Sequence, residues 1–399
     1  MSTTSSPTPT SGPVRVLVVG CGVIGKHHGI VLTRHPSFEV VGLVDPVAER
    51  ASAVAQAVVD EGGTAPQEYT DLDTALAAGG ADLAAICTPS GMHVDQAEQA
   101  LARGLHVVIE KPLDVTVSKS ARFTRLAAEA AERGQVVSVI SQHRFDPGAV
   151  VVRRTLDEGG FGTLTCALAS MSWYRSQGYY DSGDWRGTWE LDGGGAVMNQ
   201  GVHTVDLLRW FLGRPVEVFA HVAQLAHERV EVEDTATATV RFESGALATI
   251  FCTTAAYPGL TTRVQVHGTR GSAIIDNDEL RYLHVGDGEA ADNLRAAKVT
   301  GNQAEAALGD EFAGSRNEPD KFVAGHLRQY DDIAAAISEG RAPLVGAEDA
   351  LLSQALVRSI YVSAALGQAV QVQDVLDGRH DDVEPVVPGA TPATVGVPA

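Results

Sequence analysis

"VRVLVVGCGVIG", residues 14–25, joins an apolar run to three glycines spaced as G-x-G-x-x-G. A Val/Leu run of this kind suits a parallel strand covered on both faces. Gly20 allows a tight turn, Gly22 lets a pyrophosphate approach the backbone, and Gly25 lets a helix pack closely on the strand. Val23 and Ile24 open that helix, whose free N–H groups face the phosphates. A plain tight turn between strand and helix can carry the same glycines. Here the pattern follows the first strand of a strand–helix–strand unit, and Asp45 closes the second strand.

Outward from this stretch, apolar runs recur at 38–45, 81–89, 105–112 and 135–142, separated by Ala-rich amphipathic segments such as 91–103 and 116–133. Strand–helix alternation of this kind predicts a doubly wound parallel sheet, a Rossmann domain over residues 14–143. After about residue 160 the texture changes to Thr-rich alternating strands, with "FESGAL" and "HGTRGS" as hairpin turns. That half, residues 144–376, reads as an α+β domain with a large open, mostly antiparallel sheet. Helices are expected near 322–340 and 347–366, and a loop over 286–320. Residues 1–13 and 377–399 read as disordered tails.

The chain has 399 residues, enough for two cores, with 50 acidic against 30 basic side chains and a net charge of -20. That balance disfavours nucleic acid and anionic membranes as partners. No apolar run is long enough to span a bilayer, and the first residues lack the basic and apolar regions of a signal peptide. Cys21, Cys87, Cys166 and Cys252 lie far apart without a Cys-x-x-Cys pair, so neither a disulfide framework nor a metal cluster is expected. A cytoplasmic location fits this cysteine usage.

Asp45 can accept hydrogen bonds from both adenosine ribose hydroxyls, and its charge would repel a 2′-phosphate, favouring NAD over NADP. "DPVAER" also reads as an N-cap aspartate with proline at the first helical position, and both can hold. "CTPSGMH" and "EKPLDVT" end parallel strands, where ligands sit in open α/β sheets. Lys111 there can hydrogen-bond a substrate hydroxyl; Glu110 can serve the cofactor or a neighbouring loop. In "LDGGGAVMNQGVHTVDLLRWFLG", residues 191–213, Asn199 and His203 lie four apart on one helical face. His203 is the candidate general base. Asp206 either holds its tautomer or pairs with Arg209. The aromatic segment 173–189 suits a sugar ring, with Trp185 and Arg186 favoured as contacts; the alternative is a loop that uses its aromatics as a small core.

Together, "GCGVIGKHH", Asp45, "TPSGMH", "EKP", the arginine of "QHRF" and the stretches 184–213 and 343–372 resemble the glucose–fructose oxidoreductase / inositol dehydrogenase (Gfo/Idh/MocA) family. The resemblance spans roughly residues 14 to 372. It implies cofactor contacts from Gly20, Gly22, Val23, Ile24, Gly25, Asp45, Thr88, Pro89, Ser90, His93, Glu110, Lys111 and Gln142. It implies substrate contacts from Lys111, Arg144, Trp185, Arg186, Asn199 and His203, with Lys111 and His203 catalytic on a carbohydrate hydroxyl. It also implies a homodimer or homotetramer built through the C-terminal sheet. One departure stands out: inositol-dehydrogenase types carry Asp where this chain has Asn199, and an amide cannot accept a proton.

The expected function is an NAD-dependent oxidoreductase acting on a secondary hydroxyl of a sugar, glycoside, nucleotide sugar or cyclitol, with a sugar 3-dehydrogenase as the narrower expectation. A glycosidase using transient oxidation and elimination, and a non-catalytic NAD/sugar sensor, are the alternatives.

Overall fold

The apolar runs of the first half are strands because both of their faces are covered. In the computed structural model, which describes residues 12–286, 301–312, 318 and 320–388, five of them and one further short strand form one parallel sheet. They are β1 (Val14–Val19), β2 (Phe38–Val44), β3 (Gln67–Tyr69), β4 (Leu83–Ile86), β5 (His106–Ile109) and β6 (Val137–Val139), in the order β3-β2-β1-β4-β5-β6. Leu17, Val19, Ala84, Ile86 and Val107 bury against the helices His93–Ala102 and Val117–Glu132. Val16, Val18, Leu83, Ala85 and Val108 bury on the other face, with Val31, Leu32, Val54 and Val58. Each such Val, Leu or Ile side chain contributes about 1.5–3 kcal/mol on leaving water. The strand order reverses between β1 and β4, so the carboxyl ends of these two strands open the crevice where a dinucleotide is expected. The short polar edge strand β3 carries no apolar run and was not expected.

Residues 320–351 belong to this first compact unit, not to the second domain in which the sequence reading placed them. The reason is the open edge of β6. Gln329 of the helix Lys321–Glu339 donates to Val139 O at 2.8 Å and accepts from Ser141 N at 2.9 Å. Val345 O accepts from Val139 N and from the Ser138 hydroxyl. The returning chain thus satisfies backbone groups that an edge strand leaves unpaired. Tyr330 and Ile333 fill the core beneath it, both 0% exposed.

The second unit comprises the described residues of 143–319 and 352–399. Its strands are β7 (Leu164–Ser172), β8 (Pro215–Ala223), β9 (Thr235–Phe242), β10 (Leu247–Thr253), β11 (Thr262–Gly268), β12 (Gly271–Asp276), β13 (Glu279–Val285) and β14 (Val370–Gln371). They lie in the order β13-β12-β11-β7-β10-β9-β8-β14, antiparallel except for the β10–β7 pair. Alternation assigns the faces: in β9, Ala236, Ala238, Val240 and Phe242 are buried while Thr237, Thr239 and Arg241 are exposed. The apolar face packs on the helices Pro147–Asp157 and Val202–Leu212 and on residues 355–361.

Two expectations need correction here. The loop expected over 286–320 contains a helix, Ala304–Leu308, whose Ala304 and Leu308 are buried; residues 287–300 lie outside the described residues. The C-terminal tail expected from 377 is held as far as it is described. Arg358 donates to Val383 O at 2.6 Å and Gln224 N to Pro388 O at 3.0 Å. Residues 1–11 and 389–399 of the expected tails lie outside the described residues. Among the described residues no helix is long and apolar enough to cross a membrane.

Candidate active site

After β1, Gly20 takes φ +92°, a left-handed value suited to glycine, and a Cβ there would lie 2.8 Å from the Cys87 backbone. A Cβ on Gly25 would lie 1.8 Å from Gly20 O, whereas one on Gly22 would meet nothing within 4 Å. Packing therefore demands the outer glycines, and the middle one faces open space. The helix Val23–Arg34 that follows has no side-chain cap and no acid in its first turn, so its first N–H groups await an acceptor. An anion such as a pyrophosphate fits both features.

Asp45 anchors this loop. One carboxylate oxygen accepts from Cys21 N at 2.8 Å and the other from Val47 N at 2.9 Å. The next helix begins at Ala48 with Val47 at its N-cap, so Asp45 closes a turn two residues long and is not the helix cap. Each oxygen keeps a further lone pair for a ribose hydroxyl.

His93 and Glu110, two of the expected cofactor residues, turn their polar atoms to protein partners. His93 is 1% exposed, and its ring nitrogens lie 2.8 Å from Thr88 O and Pro112 O. Burial lowers its pKa against the pull of those carbonyls, and the ring ties the segment after β4 to the segment after β5. Glu110 is also buried, its carboxylate 2.7 Å from His28 Nε2 and 3.1 Å from the Lys111 N–H. Burial opposes its charge, but His28 and His326 hold it well below the usual carboxylate range. Both residues are thus held by protein partners, His93 by Thr88 and Pro112 and Glu110 by His28 and the Lys111 N–H. Thr88 turns its hydroxyl to Gln96 at 2.6 Å. Pro89 and Ser90 lead into the following turn. Lys111 is half-buried at the end of β5 and joined to Pro112 by a cis peptide bond. Gln142 is 2% exposed, with its amide oxygen buried and without a donor.

In the second unit, Gly193 and Gly194 take φ +75° and +154°. A Cβ on Gly195 would lie 1.8 Å from Glu233 O, so the chain enters the helix through a passage only glycine fits. Residues Ala196–Gly201 form a π-helical turn that runs into the α-helix Val202–Leu212. The buried carboxylate of Glu233 caps this start: it accepts from Gly195 N at 3.0 Å, Val197 N at 2.8 Å and the Tyr361 hydroxyl at 3.0 Å. Burial outweighs these bonds and pushes its pKa up to about 7.

Asn199 and His203 are half-buried on this helix. The side-chain amide of Asn199 donates to Asp192, whose other oxygen accepts from Gly187 N at 2.8 Å. The carboxylate missing at position 199 is thus supplied from seven residues earlier. Sequence reasoning overlooked Asp192, although it stands in the same glycine-rich stretch. Arg144 and Asp206 form a buried pair. Nε and Nη2 of the arginine lie 2.6 and 2.5 Å from the carboxylate, Ser353 Oγ is at 2.6 Å and Arg209 at 3.8 Å. Burial would raise the pKa of Asp206, yet Arg144, Arg209 and Ser353 hold it well below the ordinary range. The expected substrate contact of Arg144 gives way to this pairing at 3% exposure, and Asp206 is committed to it and not to the tautomer of His203. The ring beside His203 is that of His143.

The aromatic segment divides. Tyr180 packs with Val230 and Val232 in a small core that Trp189 borders, the arrangement in which the loop uses its own aromatics as a core. Trp185 and Arg186 instead stack on each other, with the guanidinium 4.4 Å from the ring centre, and Arg186 also lies 4.3 Å from the Tyr179 ring. Arg175 lies over Trp173 and Tyr179 and donates to Gln200 at 2.7 Å. Arg175, Tyr179 and Gln200 were not singled out in the sequence; aromatic–arginine alternation was the only signal.

Residues 14–141 match the description "Oxidoreductase family, NAD-binding Rossmann fold", and residues 150–274 match "GFO/IDH/MocA C-terminal domain". Inositol 2-dehydrogenase of Rhizobium meliloti is 25% identical over 88% of this chain and 99% of its own length. A scyllo-inositol 2-dehydrogenase (NAD(+)) of Bacillus subtilis is 26% identical over 85% of this chain and 91% of its own. Among solved structures, the WlbA dehydrogenase of Bordetella pertussis in complex with NADH and UDP-GlcNAcA is 30% identical, with a TM-score of 0.77, over 91% of this chain and 98% of that one.

Proposed function

Since the chain belongs to the GFO/IDH/MocA family of oxidoreductases with an NAD-binding Rossmann domain, we propose that it oxidises a secondary hydroxyl of a sugar, sugar nucleotide or cyclitol. The narrower reading is oxidation at the sugar 3-position. The observation that carries the proposal is the glycine-entered helix of the second unit. It keeps Asn199 and His203 half-buried among apolar neighbours and backs them with Asp192 and His143. So many polar groups on an otherwise buried helix are costly unless chemistry uses them.

NAD, when bound, supplies the two-electron acceptor. The uncapped N–H groups after Gly22 hold its pyrophosphate, and Asp45 receives the ribose hydroxyls while disfavouring a 2′-phosphate. The Gln142 amide oxygen offers a buried acceptor for an amide donor. Lys111 hydrogen-bonds the substrate oxygen and stabilises its developing negative charge. His203 takes the hydroxyl proton, and Asn199, fixed by Asp192, orients the substrate.

The test is a screen of free sugars, inositols, glycosides and sugar nucleotides for NAD reduction, followed by absorbance. Oxidation of at least one class, lost in Lys111→Ala and in His203→Ala with NAD affinity retained, is the expected result. Glycoside cleavage without net NADH would replace this reading with transient oxidation and elimination. Binding without turnover in every class would replace it with a sensor.

We also propose self-association through the outer face of the second sheet. Phe219 and Leu247 are 39% and 58% exposed there, beside a groove of about 420 Å³ lined also by Cys166, Thr239 and Thr249. Sedimentation of Phe219→Asp should show a smaller species than the wild type; an unchanged mass removes this face.

A further inference from the structure

Arg175 and Arg186 share one aromatic ring. Their guanidinium groups lie 5.2 and 4.3 Å from the centre of Tyr179, and each has a tryptophan beside it, Trp173 at 5.0 Å and Trp185 at 4.4 Å. Among the described residues neither arginine has a carboxylate within ion-pair distance. The chain carries 50 acids against 30 bases, and neighbouring arginines find them readily. Arg229 pairs with Asp181, and Arg144 and Arg209 lie on Asp206. Two half-buried cations around one ring, in a strongly acidic protein, repel each other without a counter-charge.

The hydrogen bonds leave donors unused. Arg175 gives Nη2 to Gln200, while its Nε is buried without an acceptor. Arg186 gives Nη1 to the Tyr179 hydroxyl at 2.7 Å. Gln200 donates to the same hydroxyl at 2.9 Å and to Asn199 Oδ1 at 3.2 Å. The cluster is therefore hydrogen-bonded to the start of the helix that carries Asn199 and His203. Stacking on aromatic faces fixes the planes of both guanidinium groups, so that their N–H edges are presented as forks.

We propose that Arg175 and Arg186 form an anion subsite that binds a carboxylate or phosphate group of the substrate. A guanidinium fork matches either oxyanion in plane, and charge assistance makes such bonds about twice as strong as neutral ones. Residues 173–189 then supply both a ring-stacking surface and a charge filter. Neutral sugars lack the group that the two arginines engage. The proposal rests on the sugar-oxidising reading for its account of what the anion belongs to; binding of the anion itself does not.

The test uses the full-length protein with saturating NAD and reads the fluorescence of Trp173 and Trp185, which lie against the two guanidinium groups. The probes are D-glucuronate, UDP and D-glucose. Glucuronate or UDP should bind saturably, at least about tenfold more tightly than glucose, and more weakly as salt rises. Arg175→Gln and Arg186→Gln should each raise Kd for that anion about tenfold or more. Arg186→Lys, which keeps the charge but loses the fork, should fall between. Thermal melts and NAD affinity matching the wild type would show that the variants are folded. Saturation by glucuronate alone identifies a uronate, and by UDP alone a sugar nucleotide; both outcomes support the subsite. Equal binding of the three probes, or wild-type Kd in the folded variants, overturns it. Anion binding without NAD reduction by any sugar would leave the subsite standing and remove the dehydrogenase reading. Oxidation of neutral sugars without anion preference would do the reverse.

Discussion

The imidazole of His143 meets that of His203 edge to face, with ring centres 5.0 Å apart. On its other side, Nδ1 of His143 lies 2.7 Å from Asp146 and 3.3 Å from Asp278. Burial alone would lower the pKa of His143. The hydrogen bond that His143 donates to Asp146 and the charges of Asp278, Asp146 and Asp206 instead raise it to about 9. His203 thus has an imidazolium as neighbour at neutral pH, and that charge favours the neutral, proton-accepting form of His203.

His143→Gln should therefore move the acid limb of kcat/KM to higher pH. One charge at this separation in a half-solvated site is worth roughly one pKa unit. Steady-state rates across the histidine range, with saturating NAD, measure the shift. A limb that stays in place would show that His143 does not set the ionisation of the base.

The Asn199–Asp192 contact makes a charge-swap experiment possible. Asn199→Asp places two carboxylates together, so one must keep a proton or the pair must separate. We expect that variant to lose about tenfold or more in kcat/KM, with a new ionisation in the profile. Asp192→Asn combined with Asn199→Asp should recover much of the loss, because the amide–carboxylate bond is rebuilt with its polarity reversed. A double variant no better than the single one would mean that position 192 does not serve position 199.

Asp206→Asn leaves Arg144 buried with its counter-charge removed. Breaking such a pair from one side costs about 3–5 kcal/mol. Urea unfolding should show this loss, and NAD affinity should remain, since both residues lie in the second unit. A change below about 1 kcal/mol would mean that water or a neighbour replaces the lost charge.

Glu233 has its pKa raised to about 7, from an unfolded value near 4.5. The folded protein therefore holds this proton more tightly than the unfolded chain. Its contribution to stability is greatest below about pH 4.5 and is lost as pH rises towards about 7. Glu233→Gln keeps an acceptor for the helix start without the charge. Unfolding free energies measured over that window should fall with pH in the wild type and less steeply in the variant. Parallel slopes would remove Glu233 as the titrating cap.

Cofactor choice should follow Asp45. The wild type is expected to prefer NAD, and Asp45→Ser should narrow the gap to NADP by removing a repulsive charge. It should also cost stability, since Asp45 bonds Cys21 N and Val47 N. Equal use of both cofactors by the wild type would leave Asp45 a purely structural anchor.

How legible the molecule was follows from the range of the forces involved. The alternation of buried runs and helices, the glycine loop, the period-2 strands of the second sheet and the glycine-entered helix are local patterns, and the sequence by itself determined them. The partners of polar side chains are not local. Glu110 turns to His28 across 82 residues, Arg144 to Asp206 across 62, and Glu233 reaches back to Gly195 across 38. Sequence named Glu110, Arg144 and Asp206 as chemically active but assigned Glu110 and Arg144 to ligands and passed over His28 and Glu233, because a charged side chain at a strand end looks the same whether it faces a crevice or a buried counter-ion. Only the tertiary structure decides that, since a desolvated charge must find its partner wherever the fold brings one. The return of residues 320–351 to the first sheet was decided in the same way. The unpaired edge of β6 needed hydrogen-bond partners, and no short-range pattern records which distant segment provides them.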